Sequence, residues 1–287
     1  MTDMKKILVT GKNGSLSTAV ADYIRNKNEY AAEQISVRGD AWKARSFSGI
    51  AAVVHIAGVT PQNAKSAEDY YRVNADLTGA LAEKCRADGV PQFIYISSMA
   101  VYGIEQSMDA AKGTVTKDTV PHPVTDYGKS KLMAEEAVRS LTDERFRAAF
   151  IRVPSIYGKG KTEYMDQYKY LAEKLPVIPE AFTGLYKSVI CVDNLCELIY
   201  LTADTRAQGV LCPDDGQLSA VDFCSAIYPN KRKSKAAGKL MALFLKNNSR
   251  ILDYYGAVCY DKALSDCFAG KYRVRNWKEA VGLCYET

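Results

Sequence analysis

The stretch Lys5-Lys6-Ile7-Leu8-Val9-Thr10-Gly11-Lys12-Asn13-Gly14-Ser15-Leu16-Ser17 identifies the fold class of this chain. A short apolar run meets a turn that contains Gly11 and Gly14, and a helix-like segment follows the turn. This order predicts a buried strand, a tight glycine turn and a helix that begins at the turn. Because free backbone amides at a helix N-terminus bind anions, the stretch also predicts a site for a pyrophosphate.

Further along the chain, short apolar runs alternate with longer amphipathic stretches. Expected strands cover residues 7–10, 34–37, 52–56, 93–97 and 148–153, and expected helices cover residues 16–28, 67–88 and 127–141. This alternation predicts an α/β fold with a doubly wound parallel sheet. After Gly158, a helix over residues 163–174, a strand over 189–192 and a helix with Asp193 as its N-cap predict a smaller mixed α/β lobe.

Length and composition limit the class of protein. The 287 residues suffice for a nucleotide-binding domain (1–160) and a substrate-binding lobe (161–287), with the last core strands free to cross the boundary. The composition is typical of a soluble protein, and the sequence shows neither a secretory signal nor a membrane span. Eight scattered cysteines and two histidines predict no metal site and reduced, mostly buried thiols in a cytoplasmic protein.

The formal net charge of +5 suits an anionic small substrate and is too mild for a nucleic-acid-binding protein. Residues 231–250 differ from the rest, because they combine lysine and arginine with several large apolar residues and contain no acidic residue. We favour a solvated helix that covers the smaller lobe. The alternative is a basic amphipathic helix that lies on an anionic membrane surface.

Two further stretches carry chemistry, Ser97-Ser98-Met99-Ala100-Val101-Tyr102-Gly103 and Tyr127-Gly128-Lys129-Ser130-Lys131. Tyr127 and Lys131 are four residues apart, so on a helix they share one face. A nearby ammonium group favours the phenolate and lowers the tyrosine pKa from its usual ~10. A serine hydroxyl on a neighbouring strand can complete a relay to a substrate oxygen. The pattern predicts proton transfer at a sugar or alcohol hydroxyl while a hydride moves elsewhere.

Taken together, these stretches resemble the NAD-dependent epimerase/dehydratase family of extended short-chain dehydrogenases/reductases, in particular its UDP-galactose 4-epimerase-like members. The matching motifs occur in family order: Thr10-Gly11-x-x-Gly14, His55-Ile56-Ala57-Gly58, Asn74, the block from Ser97 to Gly103, Tyr127-x-x-x-Lys131 with Ala134-Glu135, and Arg152-x-Pro-Ser-x-Tyr157-Gly158. The likeness covers residues 5–160 and fades after them. It implies a Rossmann domain and a smaller lobe that grips the sugar and nucleotide.

The resemblance also implies roles for individual residues. Ser98, rather than Ser97, aligns with the catalytic hydroxyl, Tyr127 with the acid/base, and Lys131 with the residue that lowers the tyrosine pKa and holds the nicotinamide ribose. The implied cofactor-binding residues are Gly11, Asn13, Gly14, Ser15, Leu16, Arg38, Ile56, Ala57, Gly58, Asn74, Tyr127, Lys131 and Pro154. Ser17 replaces the third family glycine, and His55 is expected to be structural.

The cofactor is NAD by resemblance, but Arg38 leaves NADP open. Many NAD-preferring relatives carry an acidic residue where this chain has Arg38, and an arginine can pair with a 2′-phosphate. Alternatively, Asp40 binds the ribose, or Arg38 stacks on the adenine.

The resemblance implies a sugar-nucleotide epimerase that oxidises its substrate transiently to a 4-keto sugar. Met99 and Ala100 stand where 4,6-dehydratases carry an Asp-Glu pair, so water elimination is excluded. An NADPH-dependent ketoreductase and a non-catalytic nucleotide-binding regulator remain as alternatives. A nucleotide-sugar substrate, a homodimer and a role in polysaccharide synthesis are implied by the family alone.

Overall fold

The structure is a computed structural model that describes residues 4–182, 184–245 and 249–285. It groups into two compact units, each assembled from separate stretches of the chain. The first unit is Met1–Gly103, Val120–Arg152 and Leu195–Leu211, and the second is Ile104–Thr119, Val153–Asn194 and Cys212–Thr287. The domain boundary expected at residue 160 stays a prediction.

The strands and helices follow one another along the whole described chain. The strands are β1 Lys5–Thr10, β2 Tyr30–Ile35, β3 Ile50–His55, β4 Gln92–Ser98, β5 Thr114–Val115, β6 Arg147–Val153, β7 Ser155–Tyr157, β8 Ile178–Pro179, β9 Lys187–Cys191, β10 Gly209–Leu211, β11 Gln217–Leu218, β12 Lys233–Ser234 and β13 Cys259–Tyr260. The helices are α1 Ser15–Asn26, α2 Ala41–Ala44, α3 Ala67–Tyr70, α4 Leu77–Ala87, α5 Asp126–Arg139, α6 Glu163–Lys174, α7 Val192–Asp204, α8 Ala220–Ile227, α9 Lys235–Leu245, α10 Ser249–Tyr255, α11 Lys262–Ser265 and α12 Trp277–Leu283.

A six-stranded sheet in the order β10-β6-β4-β3-β1-β2 forms the centre of the first unit. Strand β1 runs parallel to β2 and β3, β3 runs parallel to β4, and β10 runs parallel to β6. The chain places β2 on one side of β1 and β3 on the other, so the strand order reverses between β1 and β3. The predicted doubly wound parallel sheet is confirmed, and such a reversal opens a crevice at the carboxyl ends of the strands.

The core of the first unit explains why its strands are continuous apolar runs. Leu8, Val53, Phe93 and Phe150 come from four strands of the sheet and belong to one buried cluster. Helices α4 and α5 add apolar side chains to this cluster. When both faces of a sheet are covered, side chains on either face can be apolar. The strands then lack the alternation of apolar and polar residues that a half-exposed sheet shows.

Two predicted elements of the first unit differ from the observed ones. Strand β2 is Tyr30–Ile35 rather than residues 34–37, because its pairing with β1 ends at Ile35 and Ser36 is exposed. Residues 67–88 were expected to form one regular helix, but a π-helical turn at Tyr71–Asp76 separates α3 from α4. The π-helical turn contains the buried Asn74, and such turns often occur at functional sites.

The second unit is built from short sheets and helices, in agreement with the predicted mixed lobe. Its sheets are β11-β9-β7, β12-β8 and β13-β5. Helix α6 covers the predicted residues 163–174. The N-cap expected at Asp193 is wrong, because α7 begins at Val192 and Asp193 lies in its first turn, where its carboxylate pairs with Arg275 at 2.5 Å.

The eight cysteines are all described, and all are buried and free of disulfide bonds, as predicted for reduced thiols. Burial raises the pKa of the Cys224 thiol to about 12 and that of Cys267 to about 11. A raised pKa keeps a thiol protonated and unreactive. These cysteines therefore act as small apolar core residues.

Candidate active site

The predicted phosphate-binding turn connects β1 to α1. Gly11 has a φ of 95°, which favours glycine, and its amide donates to the Ile35 carbonyl at 3.1 Å. Gly14 is the N-cap of α1, and no described side chain caps the helix there. The first amides of α1 are therefore available to an anion, as the sequence predicts.

Ser17 occupies the place of the third family glycine and is buried. Its hydroxyl lies 2.9 Å from the Gly14 carbonyl oxygen and also within hydrogen-bond reach of the Gly11 carbonyl. A Cβ on Gly14 would stand 2.9 Å from this hydroxyl, closer than real Cβ contacts allow. The serine thus keeps the close packing of the turn and adds a hydrogen bond that a glycine lacks.

Thr10 joins the glycine turn to the carboxyl end of β3. Its Oγ1 accepts hydrogen bonds from the backbone amides of Ile56 at 3.0 Å and Ala57 at 3.1 Å. The same oxygen lies 2.8 Å from His55 Nδ1. With its acceptor sites occupied by two amides, the hydroxyl donates its proton to the histidine nitrogen.

The other side of the His55 ring determines its tautomer. The Thr78 hydroxyl donates to the Asn74 carbonyl oxygen at 2.6 Å, so it accepts from His55 Nε2 at 2.9 Å. The imidazole is therefore neutral with its proton on Nε2. Burial, with a further contribution from the charge of Lys131, lowers the pKa of His55 to about 3. The ring fits the structural role that the resemblance implies for it.

Asn74 and Gly58 shape the segment that follows β3. Asn74 is buried, its Oδ1 accepts from the Val59 amide at 2.7 Å, and its Nδ2 donates to the Val59 carbonyl at 2.9 Å and to Ser130 Oγ at 3.2 Å. A Cβ on Gly58 would stand 2.9 Å from Asn74 Oδ1 and 3.7 Å from Lys131 Nζ. Asn74 thus anchors the backbone at Val59, and its side-chain amide has little hydrogen-bonding capacity left for a ligand.

The two serines at the end of β4 have different surroundings. Ser97 is buried and donates to Glu135 Oε1 at 2.5 Å, and Arg152 makes a bidentate pair with the same carboxylate at 3.0 and 2.7 Å. Ser98 is partly exposed and accepts a hydrogen bond from the Ala100 amide at 3.1 Å. Ser97 is committed to a buried ion pair, whereas the Ser98 hydroxyl is accessible.

Tyr127 lies in the first turn of α5, and its hydroxyl hydrogen bonds with Ser98. Lys131, one turn further along α5, is buried, donates from Nζ to the Ile96 carbonyl at 2.8 Å and lies 6.0 Å from the centre of the Tyr127 ring. The structure therefore brings together the serine, tyrosine and lysine that the sequence selected.

The electrostatics of this cluster differ from the expectation. Burial raises the pKa of Tyr127, a neighbouring Tyr70 adds to the increase, and the Ser98 hydrogen bond only partly opposes it. The predicted lowering by Lys131 is absent from this structure, in which the ammonium group donates to the Ile96 carbonyl and lies 6.0 Å from the centre of the Tyr127 ring. Burial also lowers the pKa of Lys131 itself to about 8.

Three other predicted residues occupy different settings. Arg38 is exposed beyond the end of β2, and within the described parts of the chain its guanidinium has no hydrogen-bond or ion-pair partner. Asp40 is exposed and pairs with Lys43 at 2.6 Å. Pro154 follows β6 directly and belongs to the second unit. Their roles toward a cofactor stay predictions.

Thr78 lies outside the sequence motifs, and Thr10, Glu135 and Arg152 occur in them without a predicted role. The available signal for Glu135 was its position four residues after Lys131, on the same helix face. For Thr78, the available signal was its position four residues after Asn74. Neither spacing reveals a partner on a strand, so the contacts with His55 and Arg152 required the fold.

The described residues contain neither a metal-binding cluster nor a membrane-spanning helix. No group of three or more histidine, cysteine, aspartate or glutamate side chains among them could hold a metal ion. Within residues 4–182, 184–245 and 249–285, no helix is long and apolar enough to cross a membrane.

The sequence profile of the NAD dependent epimerase/dehydratase family matches residues 7–175 of this chain. A UDP-glucose 4-epimerase from Erwinia amylovora is 31% identical over 201 residues, which cover 66% of this chain and 57% of that enzyme. The chain thus matches little more than half the length of this relative.

Solved structures share the fold at lower identity. MoeE5, solved with UDP-glucose and NAD, has a TM-score of 0.68 at 19% identity and 97% coverage of both chains. The dTDP-4-dehydrorhamnose reductase of Bacillus anthracis, solved with NADP, has a TM-score of 0.63 at 21% identity, covering 81% of this chain and 83% of that one. Identities this low establish the fold alone.

Proposed function

The chain belongs to the NAD dependent epimerase/dehydratase family, and from that premise we propose that it is a sugar-nucleotide epimerase. The reaction would oxidise the sugar transiently at C4 and restore the hydrogen on the opposite face. The observation that carries this proposal is the hydrogen bond between Tyr127 and Ser98, beside the buried Lys131 on the same helix. A homodimer that acts on nucleotide sugars in polysaccharide synthesis is part of the proposal.

Tyr127 is the proposed acid/base. As phenolate it would take the proton of the C4 hydroxyl, with the Ser98 hydroxyl bridging the two oxygens. The raised pKa of Tyr127 means that the phenolate must be favoured by groups that meet it when the site is filled. Lys131 supplies a positive charge for this purpose, provided that it keeps its proton.

The residues around the crevice fit a dinucleotide. The amides of the turn from Gly11 to Leu16 would receive the pyrophosphate, and the small residues Ala57 and Gly58 would let the cofactor approach the backbone. When bound, NAD or NADP would supply the hydride acceptor and donor. Lys131 Nζ would hold the hydroxyls of the nicotinamide ribose in place of the Ile96 carbonyl that it binds here.

Among the activities of this family, dehydration is the one for which the site lacks acid/base groups. Met99 and Ala100 form the start of the 3₁₀ turn that follows Ser98, and neither side chain can transfer a proton. Elimination of water needs a second acid/base pair. A reaction that returns its hydride without eliminating water needs only the Tyr127 site.

The deciding experiment denatures the purified protein and identifies any released nicotinamide by mass spectrometry. A stoichiometric, recycled NAD supports the epimerase, and a panel of UDP-sugars, followed by NMR for C4 inversion, then identifies the substrate. Protein that carries no nucleotide, binds neither NADH nor NADPH in titration and turns over no sugar would contradict the proposal and favour a non-catalytic regulator.

An NADPH-dependent ketoreductase is the second candidate, and Arg38 favours it. The guanidinium is exposed after β2, where it can pair with a 2′-phosphate. Such an enzyme would use the same Ser98, Tyr127 and Lys131. It is distinguished by consuming NADPH stoichiometrically with a keto sugar, whereas the epimerase consumes no reduced cofactor.

A further inference from the structure

Helix α9 in the second unit exposes three large apolar side chains. Leu240 is 60% exposed, Leu243 is 69% exposed and Phe244 is 71% exposed. Residues three and four apart on a helix are neighbours on one face, so these side chains form a continuous apolar stripe. We define the basic apolar face of α9 as this stripe together with Lys235 and Lys239.

The opposite side of α9 is fixed against the second unit, so the basic apolar face cannot turn inward. Gly238 packs so closely on the Glu180 carbonyl that a Cβ there would overlap it, and Met241 is buried. The Ser234 hydroxyl accepts from the Ala237 amide at 3.1 Å at the start of the helix. The orientation of α9 is therefore determined by contacts on the side away from the exposed stripe.

Positive charge lies along one border of the apolar stripe and at the start of the helix. At about 100° per residue, Lys235 and Lys239 project along one border of the stripe, and both are exposed. Arg232 and Lys233 are exposed just before the helix, and residues 231–250 include no aspartate or glutamate. The combination of exposed leucine and phenylalanine with bordering lysines is typical of a helix that lies in a membrane interface.

From this arrangement, and in place of the solvated helix that the sequence favoured, we infer that the basic apolar face of α9 binds the surface of a bilayer containing anionic lipids. Leu240, Leu243 and Phe244 insert among the acyl chains near the headgroups, while Lys235 and Lys239 extend their ammonium groups to lipid phosphates. No helix in the described residues could span a bilayer, so the contact is peripheral.

Co-sedimentation of the full chain with vesicles tests this inference. The vesicles contain equal parts of phosphatidylglycerol and phosphatidylcholine, and vesicles of phosphatidylcholine alone serve for comparison. We expect binding to the anionic vesicles at low salt that weakens at high salt. Each lysine near an anionic surface contributes about fivefold in affinity, so Lys235→Glu with Lys239→Glu should weaken binding about 25-fold or more.

The variant pair Leu243→Ser and Phe244→Ser should weaken binding similarly while leaving the thermal midpoint and the circular dichroism spectrum unchanged. Lys117→Glu with Val120→Ser is the matched control, because both residues are exposed and lie outside α9. The inference is overturned if the protein stays in the supernatant with anionic vesicles at low salt, or if the α9 variants bind as the control does. It is also overturned if the α9 variants alter the sedimentation coefficient without lipid, because the face would then join two copies of the chain.

Discussion

A Cβ on Gly128 would stand 2.5 Å from the carbonyl oxygen of Ala100. Gly128 lies in the first turn of α5 next to Tyr127, and Ala100 lies in the 3₁₀ turn next to Ser98. The absence of a side chain at Gly128 therefore lets the helix that carries the tyrosine approach the strand end that carries the serine.

Gly128→Ala should lower kcat by about 10²-fold, because a displacement of α5 by an ångström misplaces Tyr127. Overpacking should also destabilise the fold by about 1–3 kcal/mol. Gly282→Ala in α12 is the control, since a Cβ there meets nothing within 4 Å. Steady-state kinetics and thermal unfolding of both variants test this, and equal effects at the two positions would contradict it.

Tyr127→Phe should reduce turnover by about 10²–10⁴-fold, which is the usual contribution of a general acid/base. Cofactor affinity should change little, since the ring and its contact with Tyr70 are kept. Tyr71→Phe is the control, because that hydroxyl binds Asp126 at 2.8 Å and has no proposed part in the reaction. Full turnover by Tyr127→Phe would remove the proposed acid/base.

Lys131 should make stability depend on pH above neutrality. Burial lowers its pKa to about 8 in the folded protein, against ~10.4 in an unfolded chain. Between these two pKa values, the Lys131 side chain is protonated in the unfolded state and neutral in the folded state. The free energy of unfolding therefore increases as pH rises. Relative to Lys131→Met, the wild-type protein should gain about 1 kcal/mol of unfolding free energy from pH 7 to pH 9.

Urea denaturation at several pH values measures this difference in the nucleotide-free protein. Lys129→Met serves as the control, since Lys129 is exposed on the same helix. A Lys131→Met protein whose pH profile parallels that of the wild type would show that Lys131 titrates normally.

His55 should make the protein sensitive to acid. Its pKa is about 3 when folded and ~6.5 when unfolded. Its neutral form therefore stabilises the fold above pH 6.5, and this stability is lost as pH falls toward 3. Relative to His55→Gln, the wild type should lose roughly 2 kcal/mol between pH 7.5 and pH 5. His122→Gln, at an exposed histidine, should behave as the wild type does in the same urea titrations.

Arg38→Ala should weaken NADPH binding by about tenfold, the loss expected for a hydrogen bond to a charged group, and should change NADH binding little. Fluorescence titration with both reduced nucleotides measures the ratio. Lys43→Ala is a nearby exposed control. If Arg38→Ala weakens both nucleotides equally, the guanidinium contacts the adenine or ribose rather than a 2′-phosphate.

Much of the first unit could be predicted because its signals are local. The apolar run before Gly11 and the alternation of strands and helices depend on neighbouring residues, and both agree with the structure. Strand β2 was misplaced because Tyr30–Ile35 has no continuous apolar run, although its register on β1 covers six residue pairs. The π-helical turn at Tyr71–Asp76 was missed because helix periodicity alone does not reveal an extra residue in a turn.

The sequence by itself determined the fold family and the residue types of the site, because glycine turns and the Tyr127–Lys131 spacing act through backbone geometry within one turn. The tertiary structure supplied the physical reason for choosing Ser98 over Ser97, since a buried carboxylate 38 residues away engages Ser97 and leaves Ser98 to Tyr127. It also decided the protonation of the site. The pKa values of Tyr127, Lys131 and His55 are set mainly by desolvation, and desolvation depends on every segment that packs around a group.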